Sequence, residues 1–168
     1  MPRIRIEPTG PIDWDVRVPG SKSHTNRALV CAALAKGKSE LIGASDSDDT
    51  RVLEKALRDG APPSAGEYNF GNAGTSLRFF TALATLGRGR FAIDGDERMR
   101  ERPVGGLVHS LRELGCDVSC AGGFPPVVVN ASGMPGGRCA VRDDASSQFV
   151  SAILLAAPGS DARIFPRP

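Results

Sequence analysis

An internal repeat is the feature that most constrains how this chain can fold. The segments AALAKGKSELIG, TALATLGRGRFAIDG and ILLAAPGSDARIF align with one another, and in each an apolar helical pattern ends at glycine before a strand-like run. In the first two copies a second helix is predicted to follow, over 47–60 and 101–115, again with glycine at its end. The third copy reaches only its strand. This repeated order of helix and strand predicts an α/β fold built from similar units.

Additional strand patterns accompany the repeat. Residues 3–10 and 13–20 alternate polar and apolar side chains and end at turn-forming residues, which is typical of short strands. Residues 38–45 predict the strand of the first copy. Residues 116–133 and 136–143 predict extra strands between the second and third copies.

Small polar residues gather where each copy begins its first helix. The three clusters are Ser21, Lys22 and Ser23; Asn72, Gly74 and Thr75; and Ser146, Ser147 and Gln148. A helix cap explains any one of them equally well. Their recurrence at equivalent places favours a common site, because helix N-termini carry free N–H groups and the positive end of the helix dipole.

Arginine supplies fixed positive charge near these clusters. The residues concerned are Arg27, Arg78, Arg98, Arg100 and Arg102. The guanidinium fork pairs well with phosphate and carboxylate groups. The residues alone therefore predict a site for a small, multiply anionic ligand.

Composition gives no support to several other classes of protein. A net charge of +2 is no general argument for a nucleic-acid or membrane partner, and neither is expected. The four cysteines form no CxxC pair, so free thiols are expected rather than a metal site. His24 and His109 are isolated, which favours surface or packing roles over catalysis. No apolar run reaches the ~18 to 20 residues of a membrane span, and a cytoplasmic location is expected.

Five sequence blocks carry a more specific signal through their order. They are PGSKSHTNRALVCAALAKG, GNAGTSLR, GDERMRERPVGGLVHSLRELG, FPPVVV and SSQFVSAILLAAP. In this order they closely resemble the N-terminal part of the 5-enolpyruvylshikimate-3-phosphate (EPSP) synthase family. The sister family of UDP-N-acetylglucosamine enolpyruvyl transferases shares the fold. It usually lacks the KSxxNRA pattern, however, and carries a cysteine in the loop that reads ERMRERP here.

The resemblance implies an enolpyruvyl transferase-like, inside-out α/β lobe built from repeated helix and strand units, incomplete in this chain. It implies N-terminal strands and a hinge over 1–20, then a substrate-binding lobe over 21–168 with about two repeats and the start of a third. The family reaction moves the enolpyruvyl group of phosphoenolpyruvate to the 5-hydroxyl of shikimate 3-phosphate, in aromatic amino-acid biosynthesis. No metal or organic cofactor is implied.

Two catalytic residues follow from the resemblance. Lys22 resembles the lysine that touches both phosphoenolpyruvate and the reacting hydroxyl, and Arg102 resembles the arginine on the phosphoenolpyruvate phosphate. Ser23 and Arg27 match positions that hold the shikimate moiety and its carboxylate.

The other implied substrate contacts belong to the second and third helix starts. Ser146 and Ser147 match the family positions that bind the 3-phosphate, and Gln148 matches the position that lies against the shikimate ring. The turn that approaches phosphoenolpyruvate matches Asn72, Gly74 and Thr75. Arg78 and Arg98 match commonly basic positions with supporting roles.

The chain departs from the family pattern in three places. Complete members are more than twice as long, and their proton-moving groups lie in a C-terminal lobe, so turnover is expected to need that lobe or a complementing chain. Between Gly60 and Gly71 a short segment stands where the family usually holds two strands. Phe79 stands where many members have proline.

Three alternatives remain open from the sequence. One is a non-catalytic module that retains a phosphate-ligand site, another is a relative of the sister family, and the third is a degenerate fragment without a stable fold. An unfinished repeat leaves a sheet and a helix face uncovered, so an exposed apolar edge and self-association are expected.

Overall fold

Most of the helices and strands that are observed correspond to helical and strand-like patterns in the sequence. The structure is a computed structural model, and it describes residues 4–5, 7–58, 60–141 and 146–166. Within these residues the helices are α1 (Lys22–Leu34), α2 (Asp48–Ala56), α3 (Gly74–Ala84), α4 (Gly105–Glu113) and α5 (Ser147–Ala156). The strands are β1 (Gly66–Asn69), β2 (Arg88–Asp94), β3 (Asp117–Ala121), β4 (Phe124–Ser132), β5 (Gly137–Val141) and β6 (Ala162–Pro166). Short 3-10 turns occupy Met99–Glu101 and Ala157–Gly159.

Serine side chains cap three of these helices. Ser21 accepts from the His24 amide before α1, Ser47 from the Thr50 amide before α2, and Ser146 from the Gln148 amide before α5. A serine at this position satisfies an amide that lacks a partner within the helix. Helix α3 is different, because Ala73 precedes it and makes no side-chain cap.

Four strands form a mixed sheet in the order β1, β2, β4, β3. Strand β2 is parallel to β1 and antiparallel to β4, and β4 is antiparallel to β3. Phe91 and Ile93 of β2 and Val127 and Val129 of β4 are buried, which gives the sheet one apolar face. Strands β5 and β6 form a separate parallel pair.

Helix α3 lies at the centre of the core. Ten of its eleven residues are buried, the exception being the half-buried Arg78. It packs against α1, α2 and α5 and against strands β2 and β4. Phe79 continues the regular helix with its ring fully buried, so the departure from proline leaves α3 unbroken. The repeated α/β architecture predicted from the sequence is confirmed.

Three of the predicted strand regions, 3–10, 13–20 and 38–45, contain no strand among their described residues. The described residues of 3–20 form no strand, and their apolar side chains face solvent, with Trp14 72% and Val18 75% exposed. Residues 38–45 form a loop, in which the Ser45 amide donates to Thr25 Oγ1 over 2.9 Å. Alternation describes a side-chain pattern, whereas a strand also needs a neighbouring strand to accept its backbone hydrogen bonds.

The remaining strand predictions agree with the structure. Residues 116–133 contain β3 and β4, 136–143 contain β5, and the third copy reaches β6. The short segment after Gly60 contains one strand, β1. The predicted start of the third copy at 143–145 lies outside the described residues.

Solvent exposure differs among the free cysteines. Cys116 and Cys139 are buried, whereas Cys31 is exposed although it follows an apolar stretch of α1. Among the described residues, no group of three or more histidine, cysteine, aspartate or glutamate side chains is placed to hold a metal ion. Nor does any helix in the described ranges have the length and apolarity needed to cross a membrane.

Candidate functional site

A cleft of about 750 Å³ lies where the N-terminal ends of α1, α2, α3 and α5 come together. Six of the ten predicted site residues line it, together with Arg78, Asp48 and Asp49. The six are Lys22, Asn72, Gly74, Thr75, Arg102 and Gln148. Residues more than a hundred positions apart in the sequence thus share one cavity.

The α1 wall of the cleft carries a lysine paired with an aspartate. Lys22 Nζ lies 3.3 Å from Oδ1 of Asp49, which is in the first turn of α2. The Lys22 side chain remains 49% exposed and is therefore accessible to a ligand. Asp49 was not among the predicted site residues.

At the α3 wall, the guanidinium of Arg102 lies close to the backbone at the start of the helix. A Cβ added at Gly74 would lie 2.6 Å from Arg102 Nη1, which is shorter than real Cβ contacts. Arg102 Nη1 also donates to the backbone oxygen of Asn72 over 3.2 Å. Glycine therefore allows Arg102 Nη1 to lie directly against the start of α3, and a Cβ there would make the arginine shift.

Arg78 adds a second guanidinium beside Arg102. Its Nη1 donates to Gln148 Oε1 over 2.5 Å and its Nη2 to the Pro103 carbonyl over 3.0 Å. Burial, and then the neighbouring charge of Arg102, lower the pKa of Arg78 below its ordinary value. Arginine has so high an ordinary pKa that Arg78 remains cationic at neutral pH.

The charges on the cleft walls favour an anionic ligand. Within the described part of the chain, neither Arg78 nor Arg102 forms a salt bridge, whereas Lys22 has Asp49 beside it. Both guanidinium groups lie beside Gly74 at the start of α3, where no side chain caps the helix. A phosphate or carboxylate is the group that such donors bind best.

Four predicted site residues lie outside the cleft, along the contact between α1 and α5. Arg27 Nη2 donates to Ser151 Oγ over 3.0 Å, and Arg27 Nη1 donates to the Ser23 carbonyl over 2.9 Å. Ser147 is exposed, and its carbonyl accepts from Ser151 Oγ. The Ser146 hydroxyl caps α5.

A network of buried hydrogen bonds lies behind the cleft. Asn26 is fully buried, and its Nδ2 donates to Ser76 Oγ over 3.2 Å. Ser76 Oγ in turn donates to the Asp49 carbonyl over 2.7 Å. These bonds join α1, α3 and α2 behind Lys22 and Asp49. Sequence reasoning did not include Asn26 or Ser76, although the asparagine belongs to the KSxxNRA pattern.

The other basic and imidazole groups lie away from the cleft lining. Arg100 forms a salt bridge with Asp94 of β2 at 2.6 Å, and Arg98 is exposed. His109 lies 3.4 Å from Glu113 on an outer turn of α4, and His24 is exposed near the α1 cap.

Comparison with known proteins places this chain in a family. The family model described as EPSP synthase (3-phosphoshikimate 1-carboxyvinyltransferase) matches residues 6–61 and 60–164. The chain belongs to the EPSP synthase family. The two matched parts meet at residues 60–61, next to the segment that was predicted to be shorter than is usual in EPSP synthases.

Relatives named 3-phosphoshikimate 1-carboxyvinyltransferase cover almost all of this EPSP synthase family member. The protein from Shewanella piezotolerans is 41% identical over 185 aligned residues, which include 94% of this chain and 43% of the relative. The protein from Rhizobium etli is 45% identical over 177 aligned residues, or 93% of this chain and 42% of the relative. The chain thus spans about 43% of the length of the Shewanella relative and matches the N-terminal part of the family.

The solved structures agree on the fold. An EPSP synthase from Acinetobacter baumannii superposes with a TM-score of 0.79 at 24% sequence identity, over 91% of this chain and 40% of that chain. The sister family of UDP-N-acetylglucosamine enolpyruvyl transferases, weighed from the sequence, is not the family that these relatives name.

Proposed function

We propose that the chain supplies one wall of an EPSP synthase active site, which moves the enolpyruvyl group of phosphoenolpyruvate to the 5-hydroxyl of shikimate 3-phosphate. The observation that carries the proposal is the convergence of Lys22, Arg78, Arg102 and Gln148 on one cleft from four separate elements. Both substrates are anions, so their encounter needs charge neutralisation and positioning before a proton moves.

Lys22 and Arg102 are the proposed catalytic residues. Lys22 is exposed enough to reach phosphoenolpyruvate and the reacting hydroxyl, and its ammonium can neutralise developing charge between them. Arg102 lies over Gly74, where its guanidinium can pair with the phosphate of phosphoenolpyruvate. Asn72 and Thr75 flank this position at the start of α3.

Shikimate 3-phosphate is proposed to lie along the contact between α1 and α5. Ser23 and Arg27 are proposed to hold the shikimate moiety and its carboxylate, and Ser146 and Ser147 its phosphate. The hydrogen bond between Arg27 and Ser151 supports this assignment, because it joins the second turns of α1 and α5. Gln148 follows Ser147 and lines the cleft, and it is proposed to contact the shikimate ring.

Turnover is proposed to require a C-terminal lobe or a complementing chain, because this chain spans less than half of its relatives. Neither a metal nor an organic cofactor is assigned to the reaction. The alternative function is a binding module that retains the anion site without turnover.

Calorimetric titration of shikimate 3-phosphate into the purified chain at low ionic strength tests the proposal. We expect saturable binding near one molecule per chain, and Arg27→Ala should weaken it by about 1.5 to 3 kcal/mol if the guanidinium makes a charge-assisted bond. Arg90→Ala, on an exposed position of β2, is the matched control and should bind as the parent does. A folded chain that gives no binding heat would refute the proposed site.

Adding a separately purified C-terminal lobe of a relative separates the two functions. Production of phosphate from both substrates in the mixture supports the transferase. Shikimate 3-phosphate binding without turnover in a demonstrated complex of the two chains supports the binding module.

A further inference from the structure

The contact between Arg78 and Gln148 determines which end of the Gln148 amide is free. Arg78 Nη1 donates to Gln148 Oε1 over 2.5 Å. A guanidinium has donors and no acceptor, so the glutamine can only present its oxygen to it. The N–H donors on Gln148 Nε2 are therefore left for another partner, and Gln148 itself lines the cleft.

Further contacts fix the position of Arg78. Its Nη2 donates to the Pro103 carbonyl over 3.0 Å, and its guanidinium lies 5.3 Å from the centre of the Phe149 ring. The backbone of Arg78 belongs to the buried helix α3. The Arg78 side chain thus joins α3, the segment before α4 and the first turn of α5. These contacts leave its guanidinium, which binds Gln148, little freedom to move.

We infer that Arg78 is a positioning residue that locks the Gln148 amide with its N–H donors available to oxygen atoms of the anionic ligand. The inference rests on the proposed function, since it deepens the role of Gln148 in that site. Without Arg78, the amide is free to rotate and to present its oxygen to the ligand. An anion attracts the N–H donors and repels the oxygen, so binding would then have to order the amide, at the cost of conformational freedom that Arg78 removes beforehand.

A simple electrostatic role for Arg78 makes a different prediction. If only its positive charge mattered, lysine would serve as well, and the loss of Arg78 would add to the loss of Gln148. If Arg78 acts through the amide, lysine lacks the planar fork that holds Gln148 and Pro103 together. The effects of the two substitutions would then overlap.

The first experiment observes the amide directly, without any ligand. Gln148 is the only glutamine in the sequence, so labelling of the full chain with glutamine that carries ¹⁵N in its side chain gives one pair of NH₂ signals at a single nitrogen frequency. We expect a restrained amide with a positive heteronuclear NOE. Arg78→Met and Arg78→Lys should reduce the NOE towards that of a mobile side chain, whereas Arg90→Met should leave it unchanged. An NOE that Arg78→Met does not alter in a chain shown to be folded would overturn the inference.

The second experiment connects the amide to the ligand. In titrations with shikimate 3-phosphate, Arg78→Met and Gln148→Ala should each weaken binding roughly tenfold or more. The double variant should bind no more weakly than the weaker single variant. Additive losses, or full rescue by Arg78→Lys, would overturn the positioning role. If the parent chain does not bind shikimate 3-phosphate, the proposed function fails, while the labelling experiment still decides whether Arg78 orients Gln148.

Discussion

Lys22 Nζ lies 3.3 Å from Oδ1 of Asp49 at the edge of the cleft. The pair joins the first turns of α1 and α2 and leaves the lysine half-exposed. Ion pairs of this exposure contribute little to folding stability, typically about 0 to 1 kcal/mol. The aspartate therefore has more influence on what the cleft binds than on whether the chain folds.

Asp49→Asn should strengthen binding of shikimate 3-phosphate roughly two- to fivefold, because it removes a negative charge from the cleft and releases Lys22. Calorimetric titration measures the affinity, and the free energy of unfolding in urea should change by less than about 1 kcal/mol. Asp46→Asn removes an exposed carboxylate that pairs with Arg51 outside the cleft, so it is the matched control. Weaker binding by Asp49→Asn would mean instead that the carboxylate holds Lys22 in its binding position.

Gly74→Ala should weaken binding of phosphoenolpyruvate about tenfold without unfolding the chain. The new methyl group would come within 2.6 Å of Arg102 Nη1, and the flexible arginine can move away only by leaving the start of α3. Alanine also favours a helix by up to about 1 kcal/mol, which offsets local strain. Titration and thermal unfolding measure the two effects. Gly10→Ala, where a Cβ meets nothing within 4 Å, should change neither; equal affinities for both variants would contradict the proposed place of Arg102.

Asn26→Ala should lower the free energy of unfolding by about 1 to 3 kcal/mol, because it removes a buried donor to Ser76 and leaves a space between α1 and α3. Urea unfolding followed by circular dichroism measures the change. Asn130→Ala is the comparison, since Asn130 is exposed and bonds only to Asp117 among the described side chains. Asn130→Ala should lower the free energy of unfolding by less than about 0.5 kcal/mol. Similar losses for both variants would refute a special role for the buried asparagine.

Stability should decrease at alkaline pH because of the buried thiols. Burial raises the pKa of Cys116, and burial followed by the charge of Glu113 raises that of Cys139. The unfolded chain ionises these thiols first, near pH 8.5, so their contribution is complete below that pH and declines above it. Urea unfolding at pH 7 and 9.5 should show a smaller decrease for Cys116→Ala than for Cys31→Ala, which removes the exposed thiol. Equal decreases would remove Cys116 as a source of the pH dependence.

The chain should self-associate at micromolar concentration through its exposed N-terminal segment. Ile12, Trp14, Val16 and Val18 are all more than 60% exposed, and they alternate along the segment. In sedimentation velocity experiments the sedimentation coefficient should therefore increase with protein concentration. The fluorescence emission of Trp14, the single tryptophan, should shift to shorter wavelength over the same concentration range. Replacing Val16 and Val18 with serine keeps this probe and should reduce both effects. A concentration-independent monomer would show the expectation to be wrong.

Local signals explain why the helices were predicted well. Ser47 caps α2, whose first turn is acidic, and the glycines at the ends of the first two repeat copies, Gly60 and Gly115, both have a positive φ. The alternation at 3–20 and 38–45 was misleading, because strand formation depends on a distant partner that a local pattern does not specify. Strand β2 differs from those segments in having β1 and β4 on its two sides.

The site shows the same division between local and distant information. Lys22, Gly74, Arg102 and Gln148 were predicted because each belongs to a recognisable block, and the fold brings them to one cleft. The contacts from Arg78 to Gln148 and from Lys22 to Asp49 were not predicted, since they join side chains from different helices. Such pairings depend on how the helices pack, which no single block contains.

The burial of α3 also determines how the cleft can move. Amides in a helix that is covered by three other helices and a sheet exchange with solvent hydrogen only when much of the molecule opens. The turn before Gly74 is therefore anchored to a helix whose amides we expect to exchange slowly, rather than to a loop that fluctuates independently. Any closure over a ligand must come from the arginine side chains or from elements that approach the cleft from outside, while the α3 end of the site remains fixed.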